Sequence, residues 1–343
     1  MHGSKPEIIV VGAGAIGLST ALAILEQTPS VSVSIVADKF LDETLSFGAG
    51  GYFRPEANIA PTRETALRWA KTSFERFSYL AQNDPLESGN SYVSGFQLSS
   101  YSEESLRNEV VEKLLGPTIR PLKKTELQMF PSKFQHGIFW TSIVTDPRYY
   151  LAYLTKKIVN LGGNFEKAKV SSLEKLACET GADVVVNCTG FLASQLTNDH
   201  LLVPVRGQTI KVRAPWIKHF YFADGAYIIP GRDYVTLGGI KEFGSGKLSL
   251  CDLDRQSIWT RVTALVPSLS QAEIVHEWVG LRPQRQPIRV EYEKSFVNLG
   301  HNNQKFVNIV HNYGHGGHGI TYSWGTAKEA ASLVQNCLLK AKL

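Results

Sequence analysis

The fold of this chain is decided by residues 8–17, which read IIVVGAGAIG. The four apolar residues at the start of this stretch are typical of a β-strand that is buried on both faces of a sheet. The glycines that follow have the spacing of a dinucleotide-binding turn. Gly12 permits a tight turn, Gly14 lets the backbone approach a pyrophosphate, and Gly17 lets helix and strand pack closely.

The residues after the turn complete a β-α-β unit. Leu18, Leu22 and Leu25 recur at helical spacing, and residues 31–36 alternate as in a strand. Asp38 follows that strand, where an acid accepts hydrogen bonds from an adenosine ribose. The N-terminus of the helix offers unpaired N–H groups and a positive dipole end to phosphates. We therefore predict a dinucleotide site.

Composition limits the remaining possibilities. A chain of 343 residues has room for about two domains, and 43% of its residues are hydrophobic, without an apolar run long enough to span a bilayer. The 36 Lys and Arg and 31 Asp and Glu give a formal charge of +5 without a block of like charge. We expect a soluble globular protein with neither a nucleic-acid nor a membrane partner.

Cysteine usage and the two ends of the chain indicate a compartment. The cysteines have no CxxC spacing, which fits a reducing intracellular environment; they are Cys178, Cys188, Cys251 and Cys337. The first strand begins so early that we expect no signal peptide. The last residues, Ala341-Lys342-Leu343, resemble the Ser-Lys-Leu type of peroxisomal address.

Beyond residue 38 the regular β-α alternation ends. The apolar spacing predicts helices over 63–80 and 150–161 and strands at 92–98, 136–140, 184–186, 208–213 and 226–240. A second buried apolar run far along the chain indicates that the nucleotide domain is discontinuous. No internal repeat is visible.

Five stretches together go beyond a generic dinucleotide fold. They read DVVVNCTG (183–190), VRGQ (205–208), YIIPG (227–231), GLRP (280–283) and HNYGHGG (311–317). In this order they closely resemble the D-amino-acid oxidase and D-aspartate oxidase family of FAD flavoproteins, and the resemblance extends from residue 8 to the terminal tripeptide.

The resemblance implies an α/β fold in which a Rossmann-like FAD-binding domain is interleaved with an antiparallel-sheet substrate domain. The FAD-binding domain is expected at 1–53, 140–203 and 286–343, and the substrate-binding domain at 54–139 and 204–285.

The resemblance also implies a reaction. Members of this family transfer a hydride from Cα of a D-amino acid to flavin N5, and they release a 2-oxo acid, ammonia and hydrogen peroxide with dioxygen as the acceptor. No protein acid or base is required, so we predict no catalytic side chain. A peroxide-forming reaction gives the C-terminal tripeptide a role, and we expect the peroxisomal matrix and its import receptor. The oligomeric state stays open.

Three positions match the substrate clamp of the family. Arg282 matches the arginine that forks onto the substrate carboxylate, which a planar guanidinium does better than the point charge of lysine. Tyr227 matches a tyrosine that hydrogen-bonds the same carboxylate, and Gly317 matches the backbone that accepts a hydrogen bond from the substrate amine. A structural ion pair is the better interpretation for Arg285 and Arg289.

The flavin contacts carried over by the motif match come from several segments. Lys39 stands where an arginine is common, and Leu45 departs from a threonine-rich pattern. The full set is Gly12, Ala13, Gly14, Ala15, Ile16, Gly17, Asp38, Lys39, Thr44, Leu45, Ser46, Ala49, Gly50, Gly51, Val170, Gly319, Ile320 and Thr321. The histidines at 311, 315 and 318 lack the Cys or acidic companions that zinc sites usually have, and we predict no metal.

Substrate class depends on a second cation. An acidic substrate would bury a distal carboxylate, which costs several kcal/mol unless it is paired. Arg54 and Lys241 are the candidates, and the segment 220–227 is short where neutral-substrate relatives have a longer lid. The residues 315–318 look more like the neutral-substrate branch. We favour D-aspartate and D-glutamate, with neutral D-amino acids as the alternative.

Two other classes of function stay open at this point. A nicotinamide-dependent dehydrogenase would use the same first β-α-β unit, and a non-catalytic nucleotide-binding protein could share the fold.

Overall fold

The computed structural model describes residues 5–298 and 304–340. Its strands are β1 (Glu7–Val11), β2 (Ser32–Ala37), β3 (Asn90–Ser99), β4 (Arg120–Pro121), β5 (His136–Thr145), β6 (Asn164–Lys167), β7 (Val184–Asn187), β8 (Val203–Arg213), β9 (Phe220–Ala223), β10 (Ala226–Pro230), β11 (Val235–Gly238), β12 (Glu242–Phe243), β13 (Glu273–Asn298) and β14 (Gln304–His315). Its helices are α1 (Ala15–Gln27), α2 (Arg63–Asn83), α3 (Pro85–Ser88), α4 (Glu109–Leu115), α5 (Lys124–Leu127), α6 (Pro147–Asn160), α7 (Leu173–Thr180), α8 (Ala193–Leu196), α9 (Asp252–Leu265) and α10 (Gly319–Lys340).

The strands form one mixed sheet in the order β4-β5-β3-β9-β10-β11-β8-β13-β14-β7-β1-β2-β6, with β12 paired to β8. From β14 to β6 neighbouring strands run parallel, whereas the rest of the sheet is antiparallel apart from the β3–β9 pair. This arrangement confirms the predicted α/β class. The proposed domain boundaries stay a prediction.

Strand β13 joins the two parts of the sheet. Its first half, from Glu273 to Gln284, pairs with β8, and its second half, from Gln284 to Asn298, pairs with β14. The register with β14 shifts between Gln284 and Arg289. The motif that carries Arg282 therefore lies where the strand passes from the antiparallel part to the parallel part.

The parallel part of the sheet is covered on both faces. Ile8 and Val10 of β1 pack in the core that contains α1, whereas Ile9 and Val11 pack in a second cluster with Leu173 of α7. This is why residues 8–11 are continuously apolar rather than alternating. On the first face, α1 contacts both α6 and α10.

Element boundaries differ from the sequence predictions by a few residues, because polar caps and turns set them. Helix α2 begins after Thr62, whose hydroxyl accepts a hydrogen bond from the Thr65 N–H at 3.1 Å. Helix α6 begins three residues earlier than predicted, because Asp146 caps it and a proline follows. The predicted strand 226–240 is two strands, β10 and β11. Within the described ranges, every helix is too short or too polar to cross a membrane.

Histidine burial at the junction of β14 and α10 predicts a pH-dependent stability. The His315 Nε2 and Thr326 Oγ1 atoms are 3.0 Å apart, and burial lowers the pKa of His315 to about 3. Below about pH 6.5 the unfolded chain takes up a proton on this histidine that the folded protein excludes. The free energy of unfolding is therefore highest above about pH 6.5 and falls as the pH falls. The slope is about 1.4 kcal/mol per pH unit for one such group.

We expect His315→Gln to reduce the pH slope of the free energy of unfolding by about that amount between pH 6 and pH 4. Urea unfolding at several pH values measures it. The matched control is His200→Gln, because His200 is exposed. Equal slopes for the two variants would contradict the assignment.

Candidate active site

The glycine-rich turn has the shape that a dinucleotide phosphate requires. Gly12 has a φ of +108°, and a Cβ added there would overlap the carbonyl oxygen of Cys188. A Cβ added at Gly17 would overlap the carbonyl oxygen of Gly12. Gly14 precedes α1 without a side-chain cap, and the Ala15 N–H donates to Ser46 Oγ at 3.0 Å. The turn and the segment 44–46 therefore meet at a helix N-terminus that can bind anions.

The other predicted flavin residues occupy several places. Asp38 and Lys39 are exposed just after β2, next to the turn in the sheet order, and Leu45 is exposed while Thr44 is buried. Val170 packs in the cluster on the α7 face together with Val11 and Val36.

Residues 49–52 meet the start of α10. The hydroxyl of Thr321 donates to the Tyr52 carbonyl at 3.3 Å, so the predicted loop and the predicted helix N-terminus are neighbours. Gly51 has a φ of +70°, and a Cβ there would overlap the Thr145 carbonyl oxygen. Gly319 and Ile320 form the first turn of this helix. Four of the six segments predicted to hold FAD, namely 12–17, 44–46, 49–51 and 319–321, thus have contacts and glycine conformations that fit the group.

Lys211 supports the same loop and was missed by the sequence analysis. Its ammonium donates to the Ala49 carbonyl at 3.1 Å and to Thr236 Oγ1 at 2.7 Å. Burial lowers the pKa of Lys211 to about 8. Because β8 also contains Arg206, Gln208 and Arg213, no sequence signal distinguished Lys211 from the other polar residues of this strand.

Arg282 presents its guanidinium against a glycine. Nη1 donates to the Ile240 carbonyl at 2.9 Å, and a Cβ added at Gly207 of β8 would overlap the guanidinium. A Cβ added at Gly317 would lie 3.6 Å from Arg282 Cδ. In the part of the chain that the structure describes, no carboxylate lies within 4.0 Å of Arg282. A half-buried guanidinium without a carboxylate partner can bind an anion.

Tyr227 lies beside Arg282. Its ring packs on Gly238 and Gly239, where an added Cβ would overlap the ring. Burial raises the pKa of Tyr227, and the charge of Arg282 opposes that rise. The phenol is therefore protonated at neutral pH and can donate a hydrogen bond. The structure brings together the three residues of the predicted substrate clamp.

Arg54, the first candidate for a second cation, is partly buried and already has a partner. Its side chain is 28% exposed, and Nη1 lies 2.7 Å from Glu56 Oε1. The guanidinium carbon lies 5.7 Å from the centre of the Phe222 ring. Lys241, the second candidate, is exposed and has no ion pair within the described ranges. Glu56 is not among the predicted site residues, although an acid two residues after a candidate pocket cation is a signal for an ion pair.

Contacts connect Arg54 to the substrate clamp on two sides. The rings of Phe222 and Tyr227 are 5.7 Å apart. On the other side, His318 Nδ1 donates to the Arg54 carbonyl at 3.2 Å, and His318 follows the glycine that borders Arg282. Arg54 is therefore linked to the surroundings of Arg282 through Phe222 and Tyr227 and through residues 317–318.

The short segment predicted between 220 and 227 is a β-hairpin. Its two turn residues, Asp224 and Gly225, have φ values of +43° and +82°, which matches the twist of a tight hairpin. Arg285 and Arg289 form structural ion pairs as predicted. Arg285 Nε lies 2.6 Å from Asp199, and Arg289 Nε lies 2.6 Å from Glu291.

Comparison with known proteins identifies the family. The sequence profile described as FAD dependent oxidoreductase matches residues 7–333. The chain belongs to this D-amino-acid oxidase family. FAD is therefore its cofactor, which rejects the nicotinamide-dependent alternative.

Curated relatives match over nearly the whole chain. The chain is 37% identical to D-aspartate oxidase 1 of Caenorhabditis elegans, over 98% of this chain and 99% of that protein. It is 36% identical to human D-aspartate oxidase, over 96% of this chain and 95% of that protein. It is 33% identical to a D-amino acid oxidase of Dugesia ryukyuensis, over 98% and 99%.

Solved structures show the same fold at lower identity. Glycine oxidase from Bacillus cereus is 17% identical with a TM-score of 0.74, covering 97% of this chain and 95% of that one. Iminodiacetate oxidase from Chelativorans is 18% identical with a TM-score of 0.74, covering 96% and 95%.

The contact between Gly207 and Arg282 predicts that Gly207→Ala weakens carboxylate binding, because the added methyl displaces the guanidinium. We expect the Kd of propionate for the FAD-loaded protein, measured by calorimetry, to rise roughly 10-fold or more, the value of one charged hydrogen bond. Arg282→Ala should lose at least as much, and the visible FAD absorbance should stay. The matched control is Gly116→Ala, since a Cβ at Gly116 meets no atom within 4 Å. Unchanged binding in Gly207→Ala would remove Arg282 from the clamp.

Proposed function

We propose that this protein oxidises D-amino acids with dioxygen, preferring the acidic substrates D-aspartate and D-glutamate. The products are the 2-oxo acid, ammonia and hydrogen peroxide. One observation carries the proposal: two contact chains, one through Phe222 and Tyr227 and one through His318, link Arg54 to the residues around Arg282. Relatives named D-aspartate oxidase in a nematode and in human support the acidic preference.

The clamp residues hold the common part of every substrate. The Arg282 guanidinium and the protonated Tyr227 hydroxyl donate to the α-carboxylate, and the backbone near Gly317 accepts from the α-amine. The glycine turn and the first turn of α10 would hold FAD, which would supply the acceptor for the Cα hydride and the site of reoxidation by dioxygen. The work of the protein is therefore to position Cα and to exclude alternative orientations. No acid or base side chain is needed.

Arg54 is the partner that we assign to the distal carboxylate. An unpaired carboxylate in this pocket would cost several kcal/mol. Arg54 is partly buried beside an aromatic ring, where a charge pair is screened less than at the surface. Lys241 is exposed and can add only long-range attraction. The hairpin between β9 and β10 leaves this side of the pocket without a longer lid.

Neutral D-amino acids remain the second candidate. The residues 315–318 read HGGH, which resembles the neutral-substrate branch, and the Dugesia relative is named D-amino acid oxidase. In that case Glu56 would permanently neutralise Arg54.

Peroxide release by the FAD-loaded protein tests the proposal. D-aspartate, D-glutamate, D-alanine and D-methionine are assayed in parallel. We expect a higher kcat/KM for the acidic pair. A higher kcat/KM for the neutral pair would reject the acidic preference and leave the oxidase activity standing, whereas no peroxide with any of the four would reject both.

Arg54→Gln should separate the two carboxylates of D-aspartate. We expect kcat/KM for D-aspartate to fall roughly 10- to 100-fold, the cost of a lost charged hydrogen bond. The kcat/KM for D-alanine should change by less than about threefold, because Arg282 is intact. The comparison variant is Lys241→Gln, which should change both substrates little. Equal losses for both substrates in Arg54→Gln would give Arg54 a structural role instead.

We propose that the protein is imported into the peroxisomal matrix, where its peroxide can be degraded. The motif Ala341-Lys342-Leu343 lies outside the described residues. A fluorescent protein fused before Met1 should accumulate in peroxisomes of a eukaryotic cell, and deletion of the last three residues should leave it in the cytosol. Unchanged localisation after the deletion would contradict the address.

A further inference from the structure

Glu56 is the charged residue nearest to the proposed distal cation. Its Oε1 lies 2.7 Å from Arg54 Nη1, and its Oε2 lies 3.6 Å from His318 Nε2. Its backbone carbonyl accepts a hydrogen bond from the Tyr322 hydroxyl at 2.8 Å, which fixes the chain at this position. The Glu56 side chain is 32% exposed, so a bound molecule can reach it.

The electrostatics keep Glu56 anionic. Burial opposes its ionisation, but His318, Arg54 and Lys241 together hold its pKa below the usual range. Burial lowers the pKa of His318, so that this imidazole is neutral at neutral pH. Two cations and one anion thus leave one positive charge at this end of the pocket.

The Glu56 carboxylate pairs with Arg54 in the way that we expect of a substrate carboxylate. If Glu56 were absent, Arg54 in the empty pocket would face the Phe222 ring with no counterion, and an unpaired, partly buried charge is costly. Glu56 removes this cost and orients the guanidinium. Glu56 occupies the Nη1 donor of Arg54, so a carboxylate that forks onto this guanidinium through Nη1 must displace it.

We propose that Glu56 is an internal competitor, whose carboxylate holds Arg54 in the empty pocket and is displaced when the distal carboxylate of an acidic substrate binds. This inference rests on the proposed function, since it takes Arg54 as the partner of that carboxylate. Glu56 is then a specificity-determining residue: it limits the affinity for acidic substrates and does not act on neutral ones. Binding exchanges one carboxylate for another at Arg54, and no covalent bond changes.

Two ligands that cannot be oxidised separate the two ends of the pocket. Succinate is D-aspartate without the amine, and propionate is D-alanine without the amine. Calorimetry of each with the FAD-loaded protein gives Kd without turnover. In Glu56→Gln, which is nearly isosteric and uncharged, we expect succinate to bind about 10-fold more tightly. Propionate binding should change by less than about twofold.

Glu56→Asp is the matched control, because it keeps the negative charge on a side chain that is one methylene shorter. Its succinate Kd should stay closer to that of the unmodified protein than to that of Glu56→Gln. In the Arg54→Gln background the effect of Glu56→Gln should vanish, which a merely structural role would not produce.

The outcomes distinguish this inference from the proposed function. If Arg54→Gln weakens succinate binding and Glu56→Gln does not strengthen it, the competitor role is wrong and the acidic-substrate assignment stands. If Arg54→Gln leaves succinate binding unchanged, the assignment of Arg54 fails and the competitor role fails with it. Equal strengthening of succinate and propionate in Glu56→Gln would also overturn the competitor role, because it would indicate a general charge effect.

Discussion

The pairing of β13 with two different strands is the constraint on which the rest of the structure depends. β8 holds one stretch of this strand and β14 holds the other, and Arg282 lies just before the change of partner. A slip of one residue in the β8 register would turn Arg282 to the opposite face of the sheet. The same strand connects the parallel part, which carries the glycine turn, to the antiparallel part, which carries Tyr227. The position of the clamp relative to the flavin-binding residues is thus set by backbone hydrogen bonds.

The charges of the pocket follow from what burial permits. Arg282 has no carboxylate partner within the ranges that the structure describes, whereas Arg54 is paired with Glu56. A guanidinium can stay unpaired when it is only half buried and a backbone carbonyl accepts one of its hydrogen bonds. Arg54, which lies beside the Phe222 ring, forms an ion pair with Glu56 of the same chain. The two arginines therefore represent two states of the same interaction, one open to a carboxylate and one already holding one.

The sequence predicted most of the fold-defining features and part of the site. The glycine turn and the buried run at 8–11 could be predicted because each depends on local spacing, whereas the substrate role of the clamp residues stays a prediction. Arg285 and Arg289 were correctly assigned to ion pairs. Boundaries were shifted where a cap such as Asp146 begins a helix.

What sequence reasoning missed depends on contacts between distant segments. Arg54 and Lys241 are both cations near family motifs, and only burial distinguishes them. The contact of Gly207 with the guanidinium and the support of Ala49 by Lys211 arise from neighbouring strands that no local pattern connects. Glu56 is close in sequence to Arg54, but the role that we propose for it depends on the ion pair that only the fold shows.

The most direct test is a crystal structure of the FAD-loaded protein with succinate. One carboxylate should lie on Arg282 and Tyr227 and the other on Arg54, with the Glu56 carboxylate moved away from Nη1. Succinate held at Arg282 alone, with its second carboxylate directed to solvent, would contradict the assignment of two arginines to one dicarboxylate.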